Sequence, residues 1–282
     1  MTVLHSLEAL ANWQKKMNWA ERKSSFVPTM GSLHDGHASL IAHAASSSDL
    51  VLVSILVNPT QFTDASDYEK YPRNLEADAE KAAQAGAHAV FAPSPEELYG
   101  GTPSSEPVQW GALTHSYEGA KRKGHFDGVV AVVDLLFQTT KPDVAVFGEK
   151  DLQQVGVVRR LAQERHPSID IQVGDLVRDE NGLALSSRNA RLDEQGLEDA
   201  LALSRALFEL RQPQGQEKEW TGVLEKVRAA LGAHPAVDLE YLDVVDADTF
   251  KPWQGIPNQR AYGIVAAQVQ GVRLIDNARL MA

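Results

Sequence analysis

Residues 24–57 read SSFVPTMGSLHDGHASLIAHAASSSDLVLVSILV. The first part, "SSFVPT" (24–29), has the composition of a short strand. "GHASLIAHAASS" (36–47) has helical spacing, because Leu40, Ile41 and Ala44 fall on one face. "DLVLVSILV" (49–57) is a continuous apolar run, the pattern of a parallel strand covered on both faces. Strand, helix and strand in succession make a right-handed βαβ unit. Its first turn holds two glycines, Gly31 and Gly36, and two histidines three residues apart, His34 and His37.

The alternation continues outward. "NLEADAEKAAQAG" (74–86) predicts a helix stopping at Gly86, and "AHAVFAP" (87–93) a short strand. "GVVAVVDLLFQTTK" (128–141) is expected to be helical, although its valines leave a strand open. "DVAVFGE" (143–149), "DLQQVGVVRRLAQER" (151–165) and "IDIQVG" (169–174) read as strand, helix and strand. The fold class is therefore α/β, with a Rossmann-like parallel sheet over residues 1–175. Ligands in such sheets bind beyond the carboxyl ends of the strands, where segments 28–37, 58–62 and 148–154 are expected to converge. After residue 175 the pattern changes. "LEDALALSRALFELRQ" (197–212) and "EWTGVLEKVRAALGA" (219–233) read as amphipathic helices joined by a polar turn, "QPQGQEKE" (212–219). Segments 237–247, 261–269 and 272–280 read as strands, so residues 176–282 predict a second, smaller α+β domain.

The chain of 282 residues is 43% hydrophobic and can bury a sizeable core. Its net charge of −11 argues against a nucleic-acid partner, which requires basic surface, but not against a local pocket for a phosphate-bearing small molecule. The absence of cysteine excludes disulfides, thiolate metal sites and cysteine nucleophiles. No apolar run approaches the roughly 20 residues that span a bilayer, and residues 1–23 lack the basic start and apolar core of a secretion signal. A cytoplasmic protein with no membrane partner is the expectation.

The histidine pair has three readings: a metal site, an anion site or an ordinary turn. No HExxH pattern or nearby third ligand supports a metal. A helix N-terminus offers free N–H groups to an anion, glycine admits a nucleotide close to the backbone, and imidazoles donate to phosphate oxygens. That chemistry suits phosphoryl or nucleotidyl transfer. In "FGEKDLQQ" (147–154), Lys150 suits a phosphate, while Asp151 suits a magnesium-bound phosphate or a helix cap. In "GLALSSRN" (182–189), Gly182 permits a mobile loop, and Ser186, Ser187 and Arg188 offer hydroxyls and a forked cation to a triphosphate. A plain polar loop with a capping serine stays open there. "VNPTQF" (57–62) supplies Asn58 and Gln61, whose neutral amides suit substrate hydroxyls or a carboxylate; Gln154 can face the same cleft, and Arg122 and His125 can add charge from a loop.

Six segments together, "PTMGSLHDGH", "VSILVNPTQF", "YPRNLEAD", "GHFDGV", "FGEKDLQQ" and "GLALSSRN", stand in an order and spacing that resembles the pantoate–β-alanine ligase family over nearly the whole chain. That family lies in the nucleotidyl-transferase superfamily with an HxGH signature. The resemblance implies that ATP, with Mg2+, activates pantoate as an adenylate with release of pyrophosphate, and that β-alanine then displaces AMP. It implies an ATP site of Met30, Gly31, Ser32, Leu33, His34, Asp35, Gly36 and His37, with Gly148, Glu149, Lys150, Asp151, Leu185, Ser186, Ser187 and Arg188 closing over the nucleotide. Val177 would contact adenine through its backbone. His34, His37, Lys150, Ser186, Ser187 and Arg188 would be catalytic, and Gln61 and Gln154 would hold pantoate, with Gln61 also near β-alanine. Asn58, Arg73, Asp78 and Arg122 fall on motif positions, and Asp78 or Asp151 would meet the magnesium, no side chain being a metal ligand on firmer grounds. The second domain would close over the active site, and the family expectation is a homodimer. Three positions depart from the family: Leu185 for methionine, Asn74 for threonine and Lys123 for proline. Lys123 is expected to loosen the loop carrying Arg122. The competing functions are a nucleotidyltransferase, adenylyl or cytidylyl, acting on a phosphorylated small molecule, and a nucleotide-sensing binding protein.

Overall fold

The computed structural model describes residues 1–211, 217–254 and 260–280. The polar turn expected at 212–219 falls mostly outside them; helix resumes at Glu217. The chain divides into two compact units, Met1–Glu149 with Val157–Asp175, and Lys150–Gly156 with Leu176–Ala282.

The first unit opens with β1 (Thr2–Leu4) and α1 (Leu7–Met17), followed by β2 (Ser24–Thr29), α2 (Asp35–Ser47) and β3 (Leu50–Ile55). A short α3 (Ala65–Glu69), α4 (Leu75–Gln84), β4 (Ala89–Phe91) and three short helices, α5 (Pro95–Tyr99), α6 (Ala112–His115) and α7 (Glu118–Lys121), lead to α8 (His125–Thr140). Then come β5 (Val144–Gly148), α9 (Leu152–Arg165), whose start up to Gly156 counts with the second unit, and β6 (Asp170–Gly174). The six strands form one sheet in the order β1-β4-β3-β2-β5-β6, and every pairing is parallel. The expected α/β class is what the chain adopts, and the valine-rich segment left open at 128–141 is helix.

The sheet is buried on both faces, as its apolar runs require. Val27, Val51, Val53, Val90, Val144 and Val146 pack with Leu40, Ile41 and Ala44 of α2 and with Ala79 and Ala82 of α4. The alternate residues Phe26, Leu52 and Phe91 are fully buried as well. From β2 the chain proceeds outward through β3 and β4 on one side, while β5 and β6 lie on the other. The strand order therefore reverses beside β2, and a crevice at the carboxyl end of such a strand is where open α/β sheets take ligands. The segments following β2 and β3, and Glu149 following β5, all leave from that edge.

In the second unit α10 (Glu194–Glu209) and α11 (Glu217–Gly232) pack on an antiparallel sheet of β7 (Val237–Asp246), β8 (Ala261–Val269) and β9 (Val272–Arg279). Leu201, Leu207, Leu242, Val265 and Leu274 lie in this second core. Among the described residues no helix is long and apolar enough to cross a membrane.

Candidate active site

The turn between β2 and α2 is built by three devices. Gly31 sits at φ +83°, and a Cβ there would stand 2.9 Å from Asp78 Oδ2 and 3.0 Å from Ile55 Cγ2, so conformation and space both require glycine. Asp78, buried on α4, accepts Ser32 N–H at 2.9 Å and Leu33 N–H at 2.7 Å, one on each carboxylate oxygen. Asn74, the departure from threonine, caps α4 by accepting Ala77 N–H at 3.2 Å and so keeps the helix that delivers Asp78. The third device is reciprocal. His34 Nδ1 accepts Gly36 N–H at 3.2 Å, and His37 Nδ1 accepts His34 N–H at 3.3 Å. The two rings lie 4.2 Å apart.

This capping arrangement sets the chemistry of both rings. A nitrogen that accepts from an amide carries no hydrogen, so each neutral imidazole has its hydrogen on Nε2. The pair is a set of Nε2–H donors at the N-terminus of α2, where the helix already favours an anion. Asp35 is exposed and pairs with Lys81 at 3.1 Å.

Below the turn, Asn58 and Gln61 follow β3. Asn58 is 1% exposed, and its amide is used inside the protein: Nδ2 donates to Gly128 O at 3.1 Å and to Gln61 Oε1 at 3.2 Å. A Cβ on Gly128 would lie 2.3 Å from Thr60 O, so only glycine lets α8 approach this closely. Gln61 Nε2 stands 3.0 Å from Met30 Sδ. The Gln61 carbonyl accepts from His125 Nδ1 at 2.9 Å and from Arg122 Nη2 at 3.4 Å, while Arg122 Nη1 is 3.0 Å from His125 Nε2 and 3.8 Å from Glu118. His125 thus carries its hydrogen on Nδ1, opposite to His34 and His37. Arg122 thus has His125, the Gln61 carbonyl and Glu118 around it, next to exposed Lys123. Arg73 donates to the carbonyls of Tyr68, Glu69 and Tyr71 and stacks over Tyr68, within its own loop.

In the second unit, Lys150 lies in a single turn, Glu149–Asp151, ahead of α9 and stands 3.8 Å from Asp151. Asn277 Nδ2 donates to Lys150 O at 3.0 Å. Gln154 occupies the first turn of α9. The 182–189 segment supplies the return arm of a hairpin over 177–185 and then enters the turn Ser187–Arg191. Leu185 N–H donates to Val177 O at 3.0 Å, Asp179 Oδ1 accepts from Asn181 and Leu183, and Gly182 turns at φ +96°. Arg178 fastens it with Nη1 to Gly182 O at 2.9 Å, Nη2 to Asn277 O at 2.9 Å, and both nitrogens to Asp276 at 2.7 and 2.8 Å. Burial pushes the Asp276 carboxyl up, against the pull of Arg178, Asn277 N–H and Lys150. Ser186 accepts Arg188 N–H at 3.2 Å and caps the turn Ser187–Arg191, so the serine-cap reading is realised.

Sequence reasoning singled out neither Tyr99, bonded to Asn58, nor the Arg178–Asp276 pair. Asp276 shows only in the alternation of β9, and Tyr99 ends a short polar helix without a periodic signal. Among the described residues no group of three or more histidines and acids is placed to hold a metal. Each Asp78 oxygen accepts one amide N–H, and half-exposed Asp151 stands 3.8 Å from Lys150.

A family model described as pantoate-β-alanine ligase matches residues 2–279. The chain is 44% identical to a pantothenate synthetase from a Nocardioides strain, over 98% of this chain and 84% of that protein. The crystal structure of pantothenate synthetase from Thermus thermophilus superimposes with a TM-score of 0.90 at 38% identity, covering 100% of both chains. A pantoate-β-alanine ligase from Francisella tularensis, solved with β-γ ATP and β-alanine, aligns at TM-score 0.80 and 32% identity over 99% of this chain and 98% of that one.

Proposed function

The chain belongs to the pantoate–β-alanine ligase family, and from that premise we propose how its own residues divide the reaction. The enzyme condenses pantoate with β-alanine at the expense of ATP. A carboxylate is a poor electrophile, so one pantoate oxygen attacks the α-phosphorus and pyrophosphate departs. The β-alanine amine then attacks the activated carbonyl, and AMP leaves carrying that oxygen.

The observation that supports this division is the capped histidine pair. With both Nδ1 atoms committed to the helix start, His34 and His37 direct Nε2–H donors at an anion, and donors fixed in advance stabilise charge that accumulates on departing pyrophosphate. Met30–His37 form the nucleotide wall in this reading, with Gly148 and Glu149 beside it. Lys150, Asp151, Ser186, Ser187 and Arg188 serve the phosphates, and Val177 and Leu185 the adenine. Gln61 and Gln154 hold pantoate. Asn58 and Asp78 act by holding Gln61 and the 31–33 turn. Mg2+ enters with ATP, held by the phosphates with Asp151 the nearest acidic candidate, and it supplies charge neutralisation there. A cytoplasmic homodimer is the assembly proposed.

Two measurements test the reading. With pantoate present and β-alanine absent, labelled pyrophosphate should exchange into ATP, and oxygen-18 from the pantoate carboxylate should appear in AMP once β-alanine is added. Label in inorganic phosphate, or ADP as product, would overturn the adenylate route. His34→Ala and His37→Ala should each slow the exchange about 10²–10³-fold at saturating ATP, by analogy with lost oxyanion donors; near-native exchange in both would return the pair to a structural turn.

A further inference from the structure

The orientation of the Asn58 amide is unambiguous. Its Nδ2 lies 3.1 Å from Gly128 O, an atom that only accepts, so the nitrogen is on that side and Oδ1 on the other. The second hydrogen of Nδ2 goes to Gln61 Oε1 at 3.2 Å. At the opposite end Oδ1 accepts from the Tyr99 hydroxyl at 3.0 Å and the Thr60 hydroxyl at 3.1 Å, and these two hydroxyls are 3.1 Å from each other. Each end of the buried amide is thus held by two partners. The Gln61 oxygen is occupied as a result, and its Nε2 points elsewhere, 3.0 Å from Met30 Sδ. A thioether is a weak acceptor, which a ligand oxygen replaces readily.

We propose that Tyr99 is a positioning residue for the hydroxy-acid substrate: through Asn58 it holds the Gln61 amide so that Nε2–H, and not the amide oxygen, is offered to a substrate oxygen. The inference rests on the reading that Gln61 contacts pantoate, and it adds the polarity of that contact and the residue that maintains it. Burial pushes the Tyr99 phenol up, against its bonds with Thr60 and Asn58, so the hydroxyl keeps its proton at neutral pH. The group recognised by Gln61 is an acceptor, a carboxylate or hydroxyl oxygen. Tyr99 touches no substrate in this arrangement and acts wholly through Asn58.

The test uses steady-state kinetics and thermal melting of the full chain. Gln61→Ala should raise the KM for pantoate about tenfold or more, with the KM for ATP unchanged. Gln61→Glu is isosteric and still accepts from Asn58, but it faces the substrate with an oxygen; its pantoate KM should rise at least as much as that of Gln61→Ala. Tyr99→Phe should raise the pantoate KM about three- to tenfold, one hydrogen bond's worth, with kcat, the ATP KM and the melting temperature near native. Adding Thr60→Val to Tyr99→Phe should enlarge the effect in the same parameter. A native pantoate KM in Gln61→Ala would sink the reading of Gln61 and this inference with it. A raised KM in Gln61→Ala with native behaviour in Tyr99→Phe, or with ATP and pantoate affected alike, would overturn the role of Tyr99 alone. A native pantoate KM in Gln61→Glu would overturn the polarity, and that measurement decides it whether or not Tyr99→Phe folds.

Discussion

Two turns of this molecule are each held by one charged side chain, and they are held by opposite means. In the first unit the 31–33 turn is gripped by Asp78, an acid whose two oxygens receive two backbone N–H groups; among the described residues no cation pairs with it. In the second unit the 177–185 hairpin is gripped by Arg178, a cation that donates to two backbone carbonyls and is itself neutralised by buried Asp276. The first device compensates a buried charge with dipoles alone, the second with a countercharge as well. Deletion leaves unpaired N–H groups in the first case and an unpaired buried acid in the second, and this makes the two turns unequal in their tolerance of substitution.

The largest effect is therefore expected at Arg178. Arg178→Ala strands the Asp276 carboxylate in an interior site and should cost about 3–5 kcal/mol in chemical denaturation. Asp276→Asn in the same background should recover part of that loss; no recovery would mean that the arginine acts through its carbonyl bonds and its stacking on Phe208 rather than through the pair. Asp78→Ala removes acceptors from two N–H groups, with no stranded charge, and should cost about 1–3 kcal/mol. Its signature is elsewhere: the histidine turn loosens, so pyrophosphate exchange should fall by more than the stability loss accounts for. Equal stability losses for the two variants would break the comparison.

The smallest effect separates the units by pH. His88, ahead of β4 in the first unit, accepts the Val51 ladder N–H on Nδ1 at 3.1 Å. Burial, assisted by the nearby Arg22 charge, holds its pKa below the ordinary 6.5. The unfolded chain therefore takes up the proton first. The stability His88 contributes is complete above pH 6.5 and declines as the pH falls below it toward the folded value. Denaturation midpoints at about pH 7.5 and 5.5 should show a shallow acid loss that His88→Gln reduces. An unchanged slope in that variant would assign the loss to other groups.

Much of this is legible in the sequence alone. The apolar runs at 49–57 and 143–149 called for a two-sided parallel sheet, and the strands sit at Leu50–Ile55 and Val144–Gly148. The edge strand Thr2–Leu4 was not legible. It has three residues and no period, and its partner Ala89–Phe91 lies far along the chain. The local features of the site were likewise readable: a strand, a glycine turn and histidines opening a helix define an anion site by sequence proximity alone.

What the sequence by itself determined is the main strands and helices, the parallel sheet, the family and the chemical types in the segments that follow β2 and β3, because periodicity, turn chemistry and short motifs are local properties of the chain. Only the tertiary structure decided which atoms of each polar group are engaged, and by what. His34 and His37 present Nε2–H because their Nδ1 atoms cap a helix, and Gln61 has its oxygen occupied because Asn58 is oriented by Gly128. Asp78 is committed to amides 45 and 46 positions away along the chain, and Arg178 to an aspartate 98 positions away. A hydrogen-bonding group has few lone pairs and hydrogens, and buried ones must be satisfied, so its remaining function follows from partners that no local pattern records.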